Sequence, residues 1–196
     1  MTKRVVAALL VPVTWSPPGV NLTSWRAALA EDVVDLLARL AQAEAAIATT
    51  AADRELATEI AWPGMRIYEV PTPMYRPVLE AATADGFDQA AVIAADAPDL
   101  PGMILGKLLQ PLENKAVAVA AGGQGLLGVA ANLPAPAWLI DHDLDAASAQ
   151  LLRKTAPQPG DVASTREWRR LRGPAELATL DPALEGWEAT RALLGG

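Results

Sequence analysis

A chain of 196 residues, 52% of them hydrophobic, can bury one large core, and its lack of cysteine leaves no thiol for a disulfide, a cysteine zinc site or a cysteine nucleophile. Its formal net charge of −7, with no basic run beyond Arg169-Arg170, argues against nucleic acid as a partner, because that recognition needs clustered cations. The single histidine, His142, is the one base a serine-type triad could use, and no stretch reaches the roughly 18–20 apolar residues of a membrane span. The expectation is an acidic cytoplasmic protein with one domain over residues 1–196.

Taken in chain order, apolar runs alternate with amphipathic segments. Residues 4–11 read as a strand. Their basic start and apolar body imitate a signal peptide, but the stretch is short and Thr14-Trp15-Ser16-Pro17-Pro18 is a poor cleavage site, so a buried first strand is expected. A Pro/Gly loop follows over 16–21, then a helix over 23–43 with Leu29, Val33, Leu36, Leu37 and Leu40 at helical spacing and Thr23 or Ser24 as its cap. Strands are expected over 45–49, 65–70 and 90–95, and helices over 53–60, 75–84 and 103–112. Strands separated by helices imply right-handed crossovers, hence a three-layer α/β/α domain with a mostly parallel, mixed sheet. Beyond Lys115 the rhythm changes. Residues 116–120 and 126–130 are short strands joined by Gly122-Gly123-Gln124-Gly125, which reads as a hairpin. A helix is expected over 144–154, and two more over 174–180 and 184–194.

Three clusters have chemical as well as structural readings. Asp96 and Asp99 end the strand over 90–95, at the carboxyl edge where parallel α/β sheets gather ligands. Two hard oxygen donors there suit Mg²⁺ or Mn²⁺ on a nucleotide diphosphate. Alternatively, Asp96 closes a turn and Asp99 caps the helix that starts near Pro101. Asp141-His142-Asp143, with Asp145 after it, suits either a metal or the capping of the following helix. Gly122-Gly123-Gln124-Gly125 lacks the G-x-x-x-x-G-K-[ST] phosphate pattern and defaults to a turn. The six tryptophans, Trp15, Trp25, Trp62, Trp138, Trp168 and Trp187, form no spaced strip and are expected mostly near the surface.

The order of these motifs resembles that of the GT-A-like nucleotide-diphospho-sugar transferase superfamily. The nearest pattern is a bacterial branch of predicted glycosyltransferases related to phospholactate guanylyltransferase and the molybdenum-cofactor guanylyltransferases. Its acidic loop reads like I-G-T-D-S-P-D-L-P, which Asp96, Pro98, Asp99, Leu100 and Pro101 match. Its D-G-G-Y-x-L-x-G corresponds to residues 121–128 here, with Gly122, Gly123, Leu126 and Gly128 retained. The resemblance implies a GT-A-like fold and nucleotidyl or glycosyl transfer from a nucleotide or nucleotide-sugar donor with Mg²⁺ or Mn²⁺. It also implies nucleotide contacts at Pro12, Thr14, Gly19, Thr23 and Asp96, a metal on Asp96, and a substrate pocket at Asp99, Gly122, Gly123 and Gln124.

The departures fall on charge. In the loop that reads P-G-x-x-K-T-R-L in the family, Pro18, Gly19 and Thr23 survive, but Leu22 replaces the lysine and Ser24 the arginine. Ala121 replaces the aspartate of the glycine motif and Gln124 its tyrosine. Where the family has D-V-D-T-P-E-D-L, this chain has residues 170–177, beginning Arg170-Leu171-Arg172. Each lost phosphate-binding cation removes a charge-assisted bond worth about 1.5–3 kcal/mol, unless Arg26, Arg170 or Arg172 compensates. Two functions follow: a transferase with a weakened site, or a catalytically silent relative that serves as a binding or assembly protein for a protein partner or a second copy of itself. The residues single out no catalytic base or nucleophile.

Overall fold

In the computed structural model, which describes residues 1–195, the first apolar run is β1 (Arg4–Leu9). Its side chains part to opposite faces with the two-residue period of a strand. Val5, Ala7 and Leu9 enter one core, and Val6 and Ala8 the other. After it come α1 (Leu22–Ala38), β2 (Glu44–Thr49), a 3-10 turn (Ala51–Asp53), α2 (Arg54–Ile60), β3 (Arg66–Glu69) and α3 (Tyr75–Ala84). The chain continues through β4 (Gln89–Ala94), α4 (Gly102–Leu109), β5 (Val117–Ala121) and β6 (Leu126–Asn132). It ends with α5 (Ala149–Thr155), β7 (Val162–Ser164), α6 (Pro174–Leu177) and α7 (Glu188–Leu193).

The strands form one seven-stranded sheet in the order β3-β2-β1-β4-β6-β5-β7. β1 pairs in parallel with β2 and β4, and β5 with β7, while β6 runs against both β4 and β5. The sheet is therefore mostly parallel and mixed, covered by helices on two faces, as its alternation of elements predicts. Every residue of β4 is buried, which explains why residues 90–94 are a continuous apolar run rather than an alternating one. Because β1, β4 and β5 point the same way, their carboxyl ends share one edge with the tip of the β5–β6 hairpin. The candidate site lies on that edge. No helix among the described residues is long and apolar enough to cross a membrane.

Several boundaries differ from expectation. α1 starts at Leu22 because Asn21, rather than Thr23 or Ser24, caps it, its Oδ1 accepting from the Ser24 N–H at 3.1 Å. It stops at Ala38, since the following residues turn back toward β2. α4 gives way at Gln110 to a 3-10 turn containing Pro111, which has no N–H to continue the helix. The helix expected over 144–154 begins only after Ser148, whose Oγ accepts from Leu151 N at 3.1 Å. The last two helices are shorter than predicted. β7 is an additional strand, three residues long and too short for any periodicity to reveal. Trp15, Trp62, Trp138 and Trp168 are half-buried or exposed, as expected of most of the tryptophans, while Trp25 and Trp187 are buried.

Candidate functional site

Asp96 and Asp99 leave the end of β4 in a tight turn closed by backbone, with Leu100 N donating to Ala97 O at 3.2 Å. Both carboxylates are buried, and each is bound by a side chain from residues 168–170. Arg170 meets Asp96 fork to fork: Nε donates to Oδ1 at 2.7 Å and Nη2 to Oδ2 at 2.9 Å. Its Nη1 donates to Asp145 Oδ1 at 2.6 Å and to the Leu126 carbonyl at 3.3 Å. Arg172 then grips Asp145 with both terminal nitrogens, at 2.6 and 2.8 Å. Asp99 accepts from Trp168 Nε1 at 3.2 Å and from Arg169 Nη2. Asp99 is therefore not the cap of α4, which begins after Pro101 without a side-chain cap.

Charge explains why this cluster is stable. Arg170 is fully buried at the side chain and Asp96 is 2% exposed, so each supplies the counter-charge that the other's burial calls for. Burial works against the Arg170 charge, but Asp96 and Asp145 outweigh it and hold its pKa above the ordinary value. For Asp145, burial raises the pKa, but the two arginines lower it by more, leaving it below the usual carboxylate value. Bidentate guanidinium–carboxylate pairs are the strong form of this contact.

Local backbone bonds place the arginines. Beyond β7, Thr165 N donates to Val119 O at 2.8 Å, Trp168 N to Ala121 O at 3.1 Å and Arg170 N to Gly122 O at 3.3 Å. Leu171 N then reaches Asp96 O at 2.7 Å. The segment thus crosses the carboxyl edge from β5 to the acidic loop. Leu171 enters a small core with Trp25 and Leu29, against which Val13 and Trp15 also pack. Gly122 leaves room for the crossing. A Cβ there would lie 2.9 Å from Arg170 Cδ and 2.8 Å from Leu127 N.

The remaining predicted residues are spread along this edge. Pro12, Thr14 and Asp96 come together with Val13, Trp15, Leu171 and Arg172, around a cavity of about 10 Å³. Gly19, at φ +82°, sits in an exposed turn and lines neither this cavity nor the next. Thr23 lines a shallow cleft of about 410 Å³ beside Arg26, Asp53, Glu55 and Glu59. Gly123 and Gln124 are exposed at the hairpin tip, whereas Gly122 is buried behind it. Arg26 is clamped on Asp53 at 2.7 and 2.8 Å, so each of the three arginines considered as replacement phosphate ligands is tied to a carboxylate. Asp143 caps a turn, accepting from Ala146 N at 2.7 Å, and Asp145 belongs to the arginine network. Among the described residues no three His, Asp or Glu side chains are placed to hold a metal together.

No family model and no curated protein sequence matches the chain. Solved structures do. A protein provisionally assigned as a nucleotide-diphospho-sugar transferase from Desulfovibrio desulfuricans G20 superposes with a TM-score of 0.65 at 14% identity, covering 100% of this chain and 98% of its own. The chain has the nucleotide-diphospho-sugar transferase fold. The 4-diphosphocytidyl-2C-methyl-D-erythritol synthase of Anaerococcus prevotii DSM 20548 shares it at a TM-score of 0.61 and 9% identity, covering 98% and 96% of the two chains. Glucosyl-3-phosphoglycerate synthase from Mycobacterium tuberculosis, solved with Mn²⁺, UDP and phosphoglyceric acid, shares it at 0.56 and 15% identity, covering 98% and 77%. At these identities the likeness establishes the fold.

A nucleotide-diphospho-sugar transferase fold raises the question of a divalent cation on Asp96. The donor set here does not fit one. Both Asp96 oxygens already accept from Arg170, and the second carboxylate in reach, Asp145, accepts from two guanidinium groups. Sequence reasoning marks Asp96, Arg170 and Arg172, but gives Arg170 no partner. It misses Trp168, Arg169 and Leu171 as residues of this edge. The available signal was the exchange of acids for Arg170 and Arg172 beside a retained acidic loop.

Proposed function

We propose that this chain is a catalytically silent member of its fold, a single-domain binding or assembly protein whose partner is another protein or a second copy of itself. The observation that carries the reading is the space left at Asp96. About 10 Å³ remains where Pro12, Thr14 and Asp96 converge, room for a single water. Small-molecule sites are commonly about 300–1,000 Å³. Residues 168–172 take up the rest, with Leu171 tied to the Asp96 carbonyl and Arg170 to its carboxylate. The loop that carries cations in the resembling branch offers Leu22 and Ser24, so no charge remains there to receive a diphosphate.

The competing reading is nucleotidyl or glycosyl transfer from a nucleotide or nucleotide-sugar donor, with Mg²⁺ or Mn²⁺ on Asp96. It rests on the fold and on the resemblance of the acidic loop to the guanylyltransferase-related branch, and fold alone does not carry chemistry. Thermal melting with GTP, CTP, UDP and UDP-sugars in millimolar Mg²⁺ or Mn²⁺ separates the two. The silent reading expects no shift with any of them. A ligand at 100 times its Kd would stabilise by about 2.7 kcal/mol. A shift of that size that disappears in Asp96→Ala would establish the transferase reading instead.

A further inference from the structure

We infer that Arg170 is a built-in cation that occupies the place a divalent ion would take at the acidic loop, and that removing its side chain frees Asp96 to take up a divalent cation, beside an Asp145 still held by Arg172. The inference rests on the silent reading and adds to it what keeps a cation out of the site.

Geometry comes first. The guanidinium bridges two carboxylates from different parts of the chain, at 2.7 and 2.9 Å to Asp96 and 2.6 Å to Asp145, as a bridging cation would. Four hydrogen bonds use four of its five N–H groups, and its side chain is fully buried. The surroundings are shaped to it as well. Gly122 has no Cβ to block the Arg170 stem, and the Arg170 and Leu171 amides are each bonded to a backbone carbonyl. With the stem gone, Asp96 keeps its buried position but loses its counter-charge. A hard cation with water completing its shell is the natural replacement.

Titration with Mn²⁺ alone, followed by the loss of the free-ion paramagnetic resonance signal, tests this in the full chain. The wild-type chain is expected to take up no Mn²⁺ into the millimolar range. Arg170→Ala should bind one Mn²⁺ at least about tenfold more tightly than wild type, with a rise in Tm, and Arg170→Ala/Asp96→Asn should lose both effects. Arg170→Lys keeps a positive charge at the loop, serves as the second variant should Arg170→Ala not fold, and should stay free of Mn²⁺. Saturable uptake by the wild-type chain that Asp96→Asn abolishes would overturn the inference, as would uptake by Arg170→Lys or a folded Arg170→Ala that binds nothing. Nucleotide is left out, so failure here leaves the closed pocket untouched. A nucleotide shift without Mn²⁺ uptake would instead remove the silent reading.

Discussion

Replacing Arg170 by methionine separates the energetic role of the pair from simple packing. Methionine keeps most of the stem's length and apolar surface but removes the guanidinium, leaving the Asp96 carboxylate, 2% exposed, without its two donors at 2.7 and 2.9 Å. Removing one partner of a buried ion pair typically costs about 3–5 kcal/mol, because the other charge remains in a low-dielectric setting. In a chain of this length each kcal/mol moves Tm by about 2–4 °C, so Arg170→Met should melt about 6–20 °C below wild type. The double variant Asp96→Leu/Arg170→Met removes both charges and fills the space with apolar atoms. It should recover most of that loss, because such replacements are commonly neutral or stabilising by about 1–4 kcal/mol. Urea denaturation of the wild type, both single variants and the double variant yields the coupling energy directly. A loss below about 1 kcal/mol in Arg170→Met, the size of a surface pair, would refute the reasoning. So would a double variant as unstable as the single one.

Gly122→Ala should cost about 1–3 kcal/mol by overpacking, since its Cβ would stand 2.8 Å from Leu127 N and 2.9 Å from Arg170 Cδ; in the Arg170→Ala background the added cost should be smaller, and equal costs would separate Gly122 from the arginine. A pH effect is expected at a different place, where Asp32 on α1 accepts from the Ala189 and Thr190 amides of α7 at 2.9 and 2.8 Å. Burial raises its pKa to about 6 despite those donors, so the folded chain holds a proton there that the unfolded chain releases near the ordinary 3.8. Stability from this group is therefore present at low pH and is lost as pH rises through about 6. From this group Tm should fall between about pH 4 and 6 in the wild type and level off above that, whereas Asp32→Asn should lack this fall, and parallel profiles would assign the slope to other groups.

Much of the scaffold can be read from residue patterns, because its signals are local. The apolar runs of β1 and β4 and the helical spacing of Leu29, Val33 and Leu37 need no knowledge of the rest of the chain. The hairpin at Gly122–Gly125 is equally plain, with positive φ at Gly123 and Gly125. The acidic loop is also placed correctly at the end of β4, but its occupant is not legible. Asp96 and Arg170 are 74 residues apart, and neither periodicity nor turn chemistry couples them. β7 fails for a related reason: three residues with one neighbour in the sheet have no pattern of their own, yet β7 sets the path of residues 165–172. Trp25 is hidden at zero exposure because Leu171, from that distant segment, covers it.

A guanidinium can bridge two carboxylates as a divalent ion does, with half the charge and without its chemistry. A metal held by two carboxylates keeps other coordination positions for water or phosphate oxygens, and through those it activates a ligand. Arg170 has four N–H groups committed to the protein and no exposed surface, so it neutralises Asp96 while presenting almost nothing to a substrate. Placing an aspartate at position 170 would therefore not be enough to make a nucleotide site. Leu171 would still be packed on Trp25, Asp99 would still be bound by Trp168 and Arg169, and Leu22 and Ser24 would still offer no cation. Several contacts fill the carboxyl edge together. An Arg170→Asp variant should accordingly gain affinity for Mn²⁺ before it gains any for a nucleotide.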